Sequence, residues 1–297
     1  MNPKDRGYLL LSSKLGDPCR KPLSIPQLRA LAQKAPYLPE GGADAELTVE
    51  HLISAGVEKW LAQRTVELLG GELQLEAYLK RAKRLGCHAI TRAGDNYPTL
   101  LRRRLGQEAP GCLWAKGDLD ILNRPAVSLV GSRELAEENR HFAQQVGIQA
   151  SRQGYALVSG NARGADSVAQ AACLETGGWV ISVLADSLEE RCPDSRVLLL
   201  SEDDFDEPFT VQRALRRNRV IHALGQFTFV AQCTLERGGT WDGSTQNLRH
   251  HWSPLYCFQD GSPASMELEQ MGACLIGTDG LQRFDALPIC QANFIFP

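Results

Sequence analysis

From Ala126 onward, short apolar runs alternate with segments that are long enough to form helices. The apolar runs are AVSLVG, YALVSG, WVISVLA, VLLLSE, FTFVAQ and PLYCF. The segment ELAEENRHFAQQVGIQASRQ, which follows the first of them, places its apolar residues on one helical face. Strands that are apolar on both faces and alternate with helices are typical of a parallel sheet covered on both sides. We therefore expect an α/β fold with a doubly wound, mostly parallel sheet over residues 125–297.

The chain before this region has a different pattern. Segments such as IPQLRALAQ and VEKWLAQRTVELLGG carry apolar residues at three- and four-residue spacing, which predicts helices. We interpret residues 1–86 as a small helical domain of SAM or helix-hairpin-helix type, and leave open whether it binds nucleic acid. Residues 87–124 contain one short strand and several turn residues, and we expect a connecting segment that leads into the sheet. The run Arg102–Arg104 is interpreted as a solvated helix face.

The distribution of charge restricts how an anion site could be built. Residues 1–124 contain 19 lysines and arginines against 14 acidic residues, and the remainder contains 13 against 21. Every cation after Lys116 is an arginine. A polyanion site in the sheet region must therefore be local and made of arginine, which suits bidentate phosphate contacts. The acidic segment Ser201–Glu207 is predicted to be a solvated loop.

Several classes of protein are disfavoured by composition. The nine cysteines are scattered and form no CxxC pair, and the six histidines are dispersed, so we predict neither a disulfide framework nor a metal site. No apolar run approaches the length of a membrane span, and the N-terminus lacks the pattern of a secretory leader. We expect a cytoplasmic protein without a membrane segment or a cofactor.

Small residues and arginines recur where predicted strands turn into helices. In an open α/β sheet, ligands bind where strand C-termini meet helix N-termini, because free N–H groups and the helix dipole attract anions there. Four stretches fit this description, LVGSRE, LVSGNARGAD, ALRRNRVIHAL and ERGGTWDGS. They predict a site for phosphate or nucleic acid made of Gly131, Ser132, Arg133, Ser159, Gly160, Arg163, Gly164, Asp166, Arg217, Asn218, Arg219, Gly238, Gly239 and Thr240.

The same stretches carry little that suggests catalysis. The chain has no GxGxxG after the first strand of the sheet, no GxxxxGK[ST] and no GxSxG. The acids Asp166, Asp186, Glu202 and Asp242 have no evident base or metal partner, and Asp166 could equally cap its helix or pair with Arg163. We therefore assign no catalytic residue. Aromatic residues for base stacking are sparse near the motifs, and Trp241 is the best candidate.

The order of these motifs resembles the DprA/Smf family of bacterial DNA-processing proteins. The resemblance covers roughly residues 85–280 and includes VGSR, SGNARGAD, SE, RNR, GGTW and MGACLI, with DNYPTLL before the first strand of the sheet. Several residues depart from the family pattern: Asn161 and Ala165 replace its Leu and Ile, Gln170 stands where its His is usual, Cys192–Pro193 replaces its Tyr-Pro step, and Gln232 replaces a Glu.

The resemblance implies a Rossmann-like sheet, homodimerisation and a positive pocket for single-stranded DNA. It also implies a role in DNA uptake, transformation or recombination, by protecting single strands and assisting a RecA-type recombinase. A second interpretation stays open: a nucleotide- or nucleotide-signal-binding protein, either a sensor or a phosphoribohydrolase, with a role in phage defence. The turn GGTWDGS supplies Asp242 but lacks the glutamate that a phosphoribohydrolase needs.

Overall fold

The first part of the chain is helical, as its spacing of apolar residues predicts. The computed structural model describes residues 1–38 and 47–290. The N-terminal helices are α1 (Pro3–Ser12), α2 (Ile25–Lys34), α3 (Val49–Ser54), α4 (Lys59–Leu69) and α5 (Glu72–Arg84). The side chain of Asn2 caps α1 by accepting from the N–H of Asp5 at 2.8 Å, which satisfies one of the donors exposed at that helix end. The division of the chain into separate domains stays a prediction.

A single nine-stranded sheet forms the centre of the molecule. Its strands are β1 (Cys87–Thr91), β2 (Cys112–Lys116), β3 (Ala126–Val130), β4 (Ala156–Ser159), β5 (Trp179–Leu184), β6 (Val197–Ser201), β7 (Thr228–Val230), β8 (Leu255–Phe258) and β9 (Cys274–Ile276). Their order is β1-β2-β6-β5-β4-β3-β7-β8-β9. The seven strands from β6 to β9 in this order run parallel, which confirms the predicted doubly wound, mostly parallel sheet.

Residues 87–124 are more than the connecting segment that we expected. They contribute two strands, because β1 pairs antiparallel with β2 and β2 pairs antiparallel with β6. Helix α6 (Thr99–Leu105) lies between them, so no short hairpin turn marks the pair in the sequence. Leu113 and Trp114 of β2 are almost completely buried, and this burial against distant parts of the chain determines the strand.

Helices cover both faces of the sheet. They are α7 (Glu137–Arg152), α8 (Ala165–Glu175), α9 (Val211–Leu224), α10 (Gly238–His250) and α11 (Pro263–Gln270). Phe142 of α7 and Ala169 of α8 pack in one apolar cluster with Phe229 of β7. Ile221 of α9 and Leu268 of α11 belong to a second cluster. Full burial of such large side chains stabilises the fold by about 1.5–3 kcal/mol each.

The direction of winding reverses between β3 and β7. The chain runs outward from β3 through β4 and β5 to β6, and α9 then returns it to β7, on the other side of β3. Parallel strands end at the same edge of the sheet, so the turns after β3, β4, β5 and β7 lie together. A crevice at such a reversal point is where open α/β sheets bind ligands.

An arginine pocket at the carboxyl edge of the sheet

The turns after β3, β4 and β5 and the first half of α9 enclose a pocket of about 220 Å³. Its lining residues are Arg133, Gly160, Asn161, Ala162, Arg163, Leu184, Ala185, Asp186, Arg191, Phe209, Ala214 and Arg217. Four of these side chains are arginines and one is a carboxylate, so the lining carries a net positive charge. We call this cavity the arginine pocket.

Two glycines allow the turns after β3 and β4 to touch. A Cβ on Gly131 would lie 2.4 Å from the Cβ of Ala165, and a Cβ on Gly164 would lie 2.4 Å from the carbonyl oxygen of Ser132. Gly164 also has φ +86°, a conformation that side chains disfavour. The N–H of Ala165 donates to the carbonyl of Ser132 at 3.1 Å and holds the two turns together. This contact brings the segments that carry the two rim arginines to one pocket.

Arg133 and Arg163 form the exposed rim of the pocket. Neither side chain makes a hydrogen bond or an ion pair with any residue in the ranges 1–38 and 47–290. Their guanidinium groups are therefore available to an anion, with five N–H donors each.

Arg217 forms the floor of the pocket. Its residue is only 8% exposed, and its Nη1 donates to the carbonyl oxygen of Val183. The guanidinium lies directly over Gly160, where a Cβ would be 2.5 Å from Cζ. Its buried Nε finds no hydrogen-bond partner in the described part of the chain. Burial lowers the pKa of Arg217, but an arginine keeps its charge at neutral pH. Arg217 therefore places a positive charge at the base of the pocket, and nearby carboxylates, Asp166 first among them, partly balance it.

The buried carboxylate of Asp166 holds the loop after β4 through hydrogen bonds to its backbone. Its Oδ2 accepts from the N–H groups of Gly160 at 2.9 Å and Ala162 at 3.2 Å. Burial raises the pKa of this carboxyl, and the positive charge of Arg217 opposes that rise. The structure therefore differs from both predicted roles: Asp166 shapes the loop and balances Arg217, and no ion pair joins it to Arg163 within the described residues.

The residues that depart from the family pattern have local structural roles. Asn161 has φ +56°, a left-handed conformation that asparagine tolerates better than leucine does. The amide of Gln170 donates to the hydroxyls of Ser159 at 2.5 Å and Ser182 at 3.0 Å. Ser159 is thereby committed to a buried network beneath the loop and does not line the arginine pocket.

Sequence reasoning missed two features of the rim. Arg191 lines the pocket and pairs with Asp186 at 2.5 Å. Phe209 also lines it and is 53% exposed, so a flat apolar ring is presented beside the guanidinium groups. Both residues lie in irregular segments with no strand or helix pattern around them. Only the folded positions of those segments bring them to the pocket.

The RNR motif does not stand at a strand–helix junction as predicted. Helix α9 begins at Val211, with Thr210 accepting from the N–H of Arg213 at 3.1 Å as its cap. The motif therefore lies in the middle of the helix, and its members face different ways. Arg219 forms an ion pair with Glu202 and donates to the carbonyl of Glu108 at 2.7 Å. Of the motif's three residues, Arg217 is the one that lines the arginine pocket.

The acidic segment Ser201–Glu207 is not the solvated loop that we expected. The Glu202 side chain is 3% exposed, and Phe205 is fully buried. Phe205 stacks on Tyr78 at 4.6 Å, which anchors the segment to the N-terminal helices. Asp204 accepts from the N–H of Lys14 at 2.7 Å, and burial raises its pKa to about 6. Because Phe205 is buried, the acidic residues beside it lie against the protein surface, and there they contact arginines and backbone N–H groups.

The fourth predicted junction packs α10 on α9, away from the arginine pocket. The side chain of Asn218 donates to the carbonyl of Gly239 at 3.0 Å, and a Cβ on Gly239 would contact Leu215 at 3.2 Å. Helix α10 begins at Gly238, so Thr240 is its third residue. The residues Asn218, Arg219, Gly238, Gly239 and Thr240 do not line the pocket, and a binding role for them stays a prediction.

One of the three arginines in Arg102–Arg104 is structural. Arg104 donates to the carbonyl oxygens of Ala223, Gly225 and Gln226, at and just after the last turn of α9. Burial lowers the pKa of Arg104 to about 10. The interpretation of the whole run as a solvated face was therefore wrong for Arg104, whose partners are more than a hundred residues away in the sequence.

Two kinds of feature are absent from the described residues. Between residues 1–38 and 47–290, no cluster of three His, Cys, Asp or Glu side chains is arranged to hold a metal ion. No helix within the same ranges has the length and apolar character needed to cross a bilayer.

The sequence was compared with family models and with known proteins, and the matches come from one family. Residues 88–276 match the family model described as DNA recombination-mediator protein A. The DNA processing protein DprA of Streptococcus pneumoniae is 31% identical over 193 residues, which are 60% of this chain and 68% of that protein.

Two solved structures share the fold. The X-ray structure of DNA processing protein A from Streptococcus pneumoniae has a TM-score of 0.73 at 24% identity, covering 96% of this chain and 99% of that one. DNA processing protein A from Helicobacter pylori, a protein described by its single-stranded DNA binding mode, has a TM-score of 0.54 at 22% identity. That likeness covers 64% of this chain and 90% of the Helicobacter pylori chain.

Proposed function

The chain belongs to the DNA recombination-mediator protein A family, and from this premise we propose that it binds single-stranded DNA in the arginine pocket without altering it chemically. The observation that carries the proposal is the grouping of Arg133, Arg163 and Arg217 around one small cavity, with no competing partner for the first two in the described part of the chain. The Helicobacter pylori relative is described as binding single-stranded DNA, which supports the same ligand here.

The size and the positive charge of the arginine pocket suit one nucleotide unit, with its phosphate facing the arginines. We propose that Arg217 contacts the deepest phosphate oxygen, because its guanidinium lies over Gly160 at the floor of the pocket. Arg133 and Arg163, on the rim, then contact the same phosphate and its neighbour along the strand. Charge-assisted contacts of this kind position the backbone and carry no sequence information.

Phe209 supplies the second element that single-strand binding requires. Its ring is half-exposed at the rim, where a base attached to the bound phosphate could stack on it. Stacking on an aromatic ring contributes about 1–3 kcal/mol per base and tolerates all four bases. We therefore expect little sequence preference, with Phe209 in the role for which the sequence suggested Trp241.

A role as a nucleotide sensor remains the alternative, favoured by the size of the pocket. A volume of about 220 Å³ holds one nucleotide unit, and a free mononucleotide presents the same phosphate and base. The carboxylate in the lining, Asp186, is occupied by Arg191, so hydrolysis of either ligand is not proposed.

The deciding experiment measures fluorescence anisotropy of a labelled oligothymidine at two salt concentrations, beside thermal shifts with a mononucleotide. The proposal predicts saturable binding of the oligonucleotide that weakens with salt, and no comparable shift with the mononucleotide. A mononucleotide that raises the melting temperature, together with no oligonucleotide binding, would establish the sensor instead.

We further propose the context that the family implies: a homodimer that acts in the cytoplasm in DNA uptake or recombination and passes DNA to a RecA-type recombinase. Light scattering tests the dimer, and strand-exchange assays with and without the protein test the recombinase step. A monomer at all concentrations, or strand exchange that the protein leaves unchanged, would contradict the respective part.

A further inference from the structure

Two half-buried cysteines meet at the edge of the sheet that β9 forms. Cys274 is the first residue of β9 and is the register partner of Tyr256 in β8. Cys290 lies on the segment that follows β9 and crosses back over β8, where its Sγ donates to the carbonyl of Leu255 at 3.4 Å. Both side chains pack against the apolar cluster that contains Tyr256, and the Sγ of Cys274 lies against the carbonyl of Pro288, two residues before Cys290.

Contacts besides those of the sulfurs also hold the backbone around this pair. The hydroxyl of Tyr256 donates to the carbonyl of Pro288 at 2.8 Å, and the Sγ of Cys274 lies 4.0 Å from the same oxygen. Nearer to β9, the side chain of Gln153 accepts from the N–H of Phe284 at 2.7 Å, and the Phe284 ring is buried. The segment between the cysteines is therefore fixed at both ends, so little chain movement is needed to join them.

We propose that Cys274 and Cys290 are a reversible modification site that closes into an intrachain disulfide when the protein meets a peroxide. One thiolate attacks a peroxide oxygen, the O–O bond breaks, and the sulfur becomes a sulfenic acid as water leaves. The second thiolate then displaces hydroxide from that sulfur and forms the S–S bond. In total the two thiols lose two protons and two electrons, and the peroxide is reduced to two waters.

Access and the nearness of a second cysteine favour this pair over the other cysteines. Cys87, Cys112, Cys173, Cys233 and Cys257 are buried, whereas Cys274 and Cys290 are partly accessible. Cys19 and Cys192 are exposed, and among the described residues neither packs in an apolar cluster with a second cysteine. Burial raises the pKa of Cys274 to about 12, and the neighbouring sulfur adds to the rise. Few thiolates form there at neutral pH, so the reaction will be slow and will require sustained oxidant.

The bond would fasten the segment after β9 to the edge of the sheet. It closes a loop of about 15 residues, which restricts the unfolded chain and raises the melting temperature by roughly 5–10 °C. It lies at the β9 edge, three strands away from β3, so we expect single-strand binding to be the same in the oxidised and reduced protein.

The test uses the full chain, treated with hydrogen peroxide at low protein concentration, alkylated and digested with trypsin without reduction. Cleavage after Arg283 separates the two cysteines, so the disulfide appears as a crosslink between peptides 250–283 and 284–297. The second peptide contains Cys290 as its single cysteine, and fragment ions distinguish Cys274 from Cys257 in the first.

The proposal predicts the Cys274–Cys290 crosslink, its removal by dithiothreitol, and a higher melting temperature after oxidation. Cys274→Ser must abolish both effects, and the control Cys192→Ser must keep both. Oxidation of Cys19 and Cys192 without this crosslink, or a crosslink from Cys290 to Cys257, would overturn the proposal. If Cys274→Ser fails to fold, Cys290→Ser provides the same test from the other side.

Discussion

Two sets of arginines meet at helix α9, and they differ in what surrounds them. The first set consists of Arg133, Arg163 and Arg217 in the arginine pocket, without Arg191, which pairs with Asp186 there. The buttress arginines, Arg213, Arg216 and Arg219, are ion-paired with Glu202, Asp203 and Glu207. The rim members of the first set have no such partner in the described ranges. Positive charge in the sequence therefore indicates a ligand site only where the folded chain has not already neutralised it.

The difference assigns the two sets separate roles. Glu202 is nearly fully buried, so its carboxylate requires the cations that lie against it, Arg216 and Arg219. These two arginines stabilise the acidic segment, which in turn contacts the N-terminal helices through Phe205 and Asp204. The rim arginines Arg133 and Arg163 have no partner among the described residues, so they contribute little to folding by comparison and remain available for a ligand.

The largest effect on DNA binding is expected from removing both rim charges. The double substitution Arg133→Gln with Arg163→Gln should weaken oligothymidine binding about 100-fold, because each lost charge-assisted contact contributes roughly 1.4 kcal/mol. Anisotropy titration measures the change. The matched control Arg216→Gln removes an exposed buttress arginine and should alter affinity less than about two-fold. A control that weakens binding as much as one rim substitution would remove the distinction between the two sets.

Phe209→Ala should have the next largest effect, about a 10-fold loss of affinity through lost stacking. The salt dependence of binding should not change, since no charge is removed. Val211→Ala, which shortens another exposed apolar side chain at the start of α9, serves as the control. Equal losses from both substitutions would mean that general apolar contact, and not stacking in the pocket, is being measured.

Asp186→Asn should change affinity in the opposite direction. The carboxylate competes with a phosphate for Arg191, so its neutralisation should strengthen binding by roughly three-fold at low salt. Titrations of the two proteins at matched ionic strength measure the ratio. Weaker binding by the variant would show that the Asp186–Arg191 pair positions the rim and does not compete with the ligand.

Asp204 should affect stability and leave DNA binding unchanged. Burial raises its pKa to about 6, above the unfolded value, so the folded protein binds the extra proton between about pH 4 and 6. Its contribution to the free energy of unfolding is thus greatest at low pH and is lost as the pH rises through 6. Buried His222, whose pKa is lowered to about 3 by burial, has the opposite dependence.

Denaturant unfolding of the wild type and Asp204→Asn isolates the first of these two groups. The difference between their free energies of unfolding should shift by about 2 kcal/mol from pH 4 to pH 7, in the direction that makes the variant relatively more stable at pH 7. A difference that stays constant over this range would contradict the assignment.

The sequence predicted those parts of the molecule that depend on neighbouring residues. The strands from Ala126 onward follow from runs of consecutive apolar residues, and the turns with Arg133 and Arg163 follow from small residues at strand ends. The partners of a charged group do not follow from local pattern. Arg219 pairs with Glu202 and donates to the carbonyl of Glu108, and Arg104 donates to carbonyls at the end of α9. These partners are so far apart in the sequence that no periodic pattern of residues indicates them. Phe209 was missed for the same reason.

The central claim is that the rim arginines contact phosphates and the buttress arginines do not. It is tested most directly by the slope of the logarithm of the binding constant against the logarithm of salt concentration, for oligothymidine. Each lost phosphate contact on a single strand should flatten the slope by about 0.7. We predict a flattening of about 1.4 for the Arg133→Gln, Arg163→Gln protein and none for Arg216→Gln. Identical slopes for the wild type and the double variant would contradict the claim.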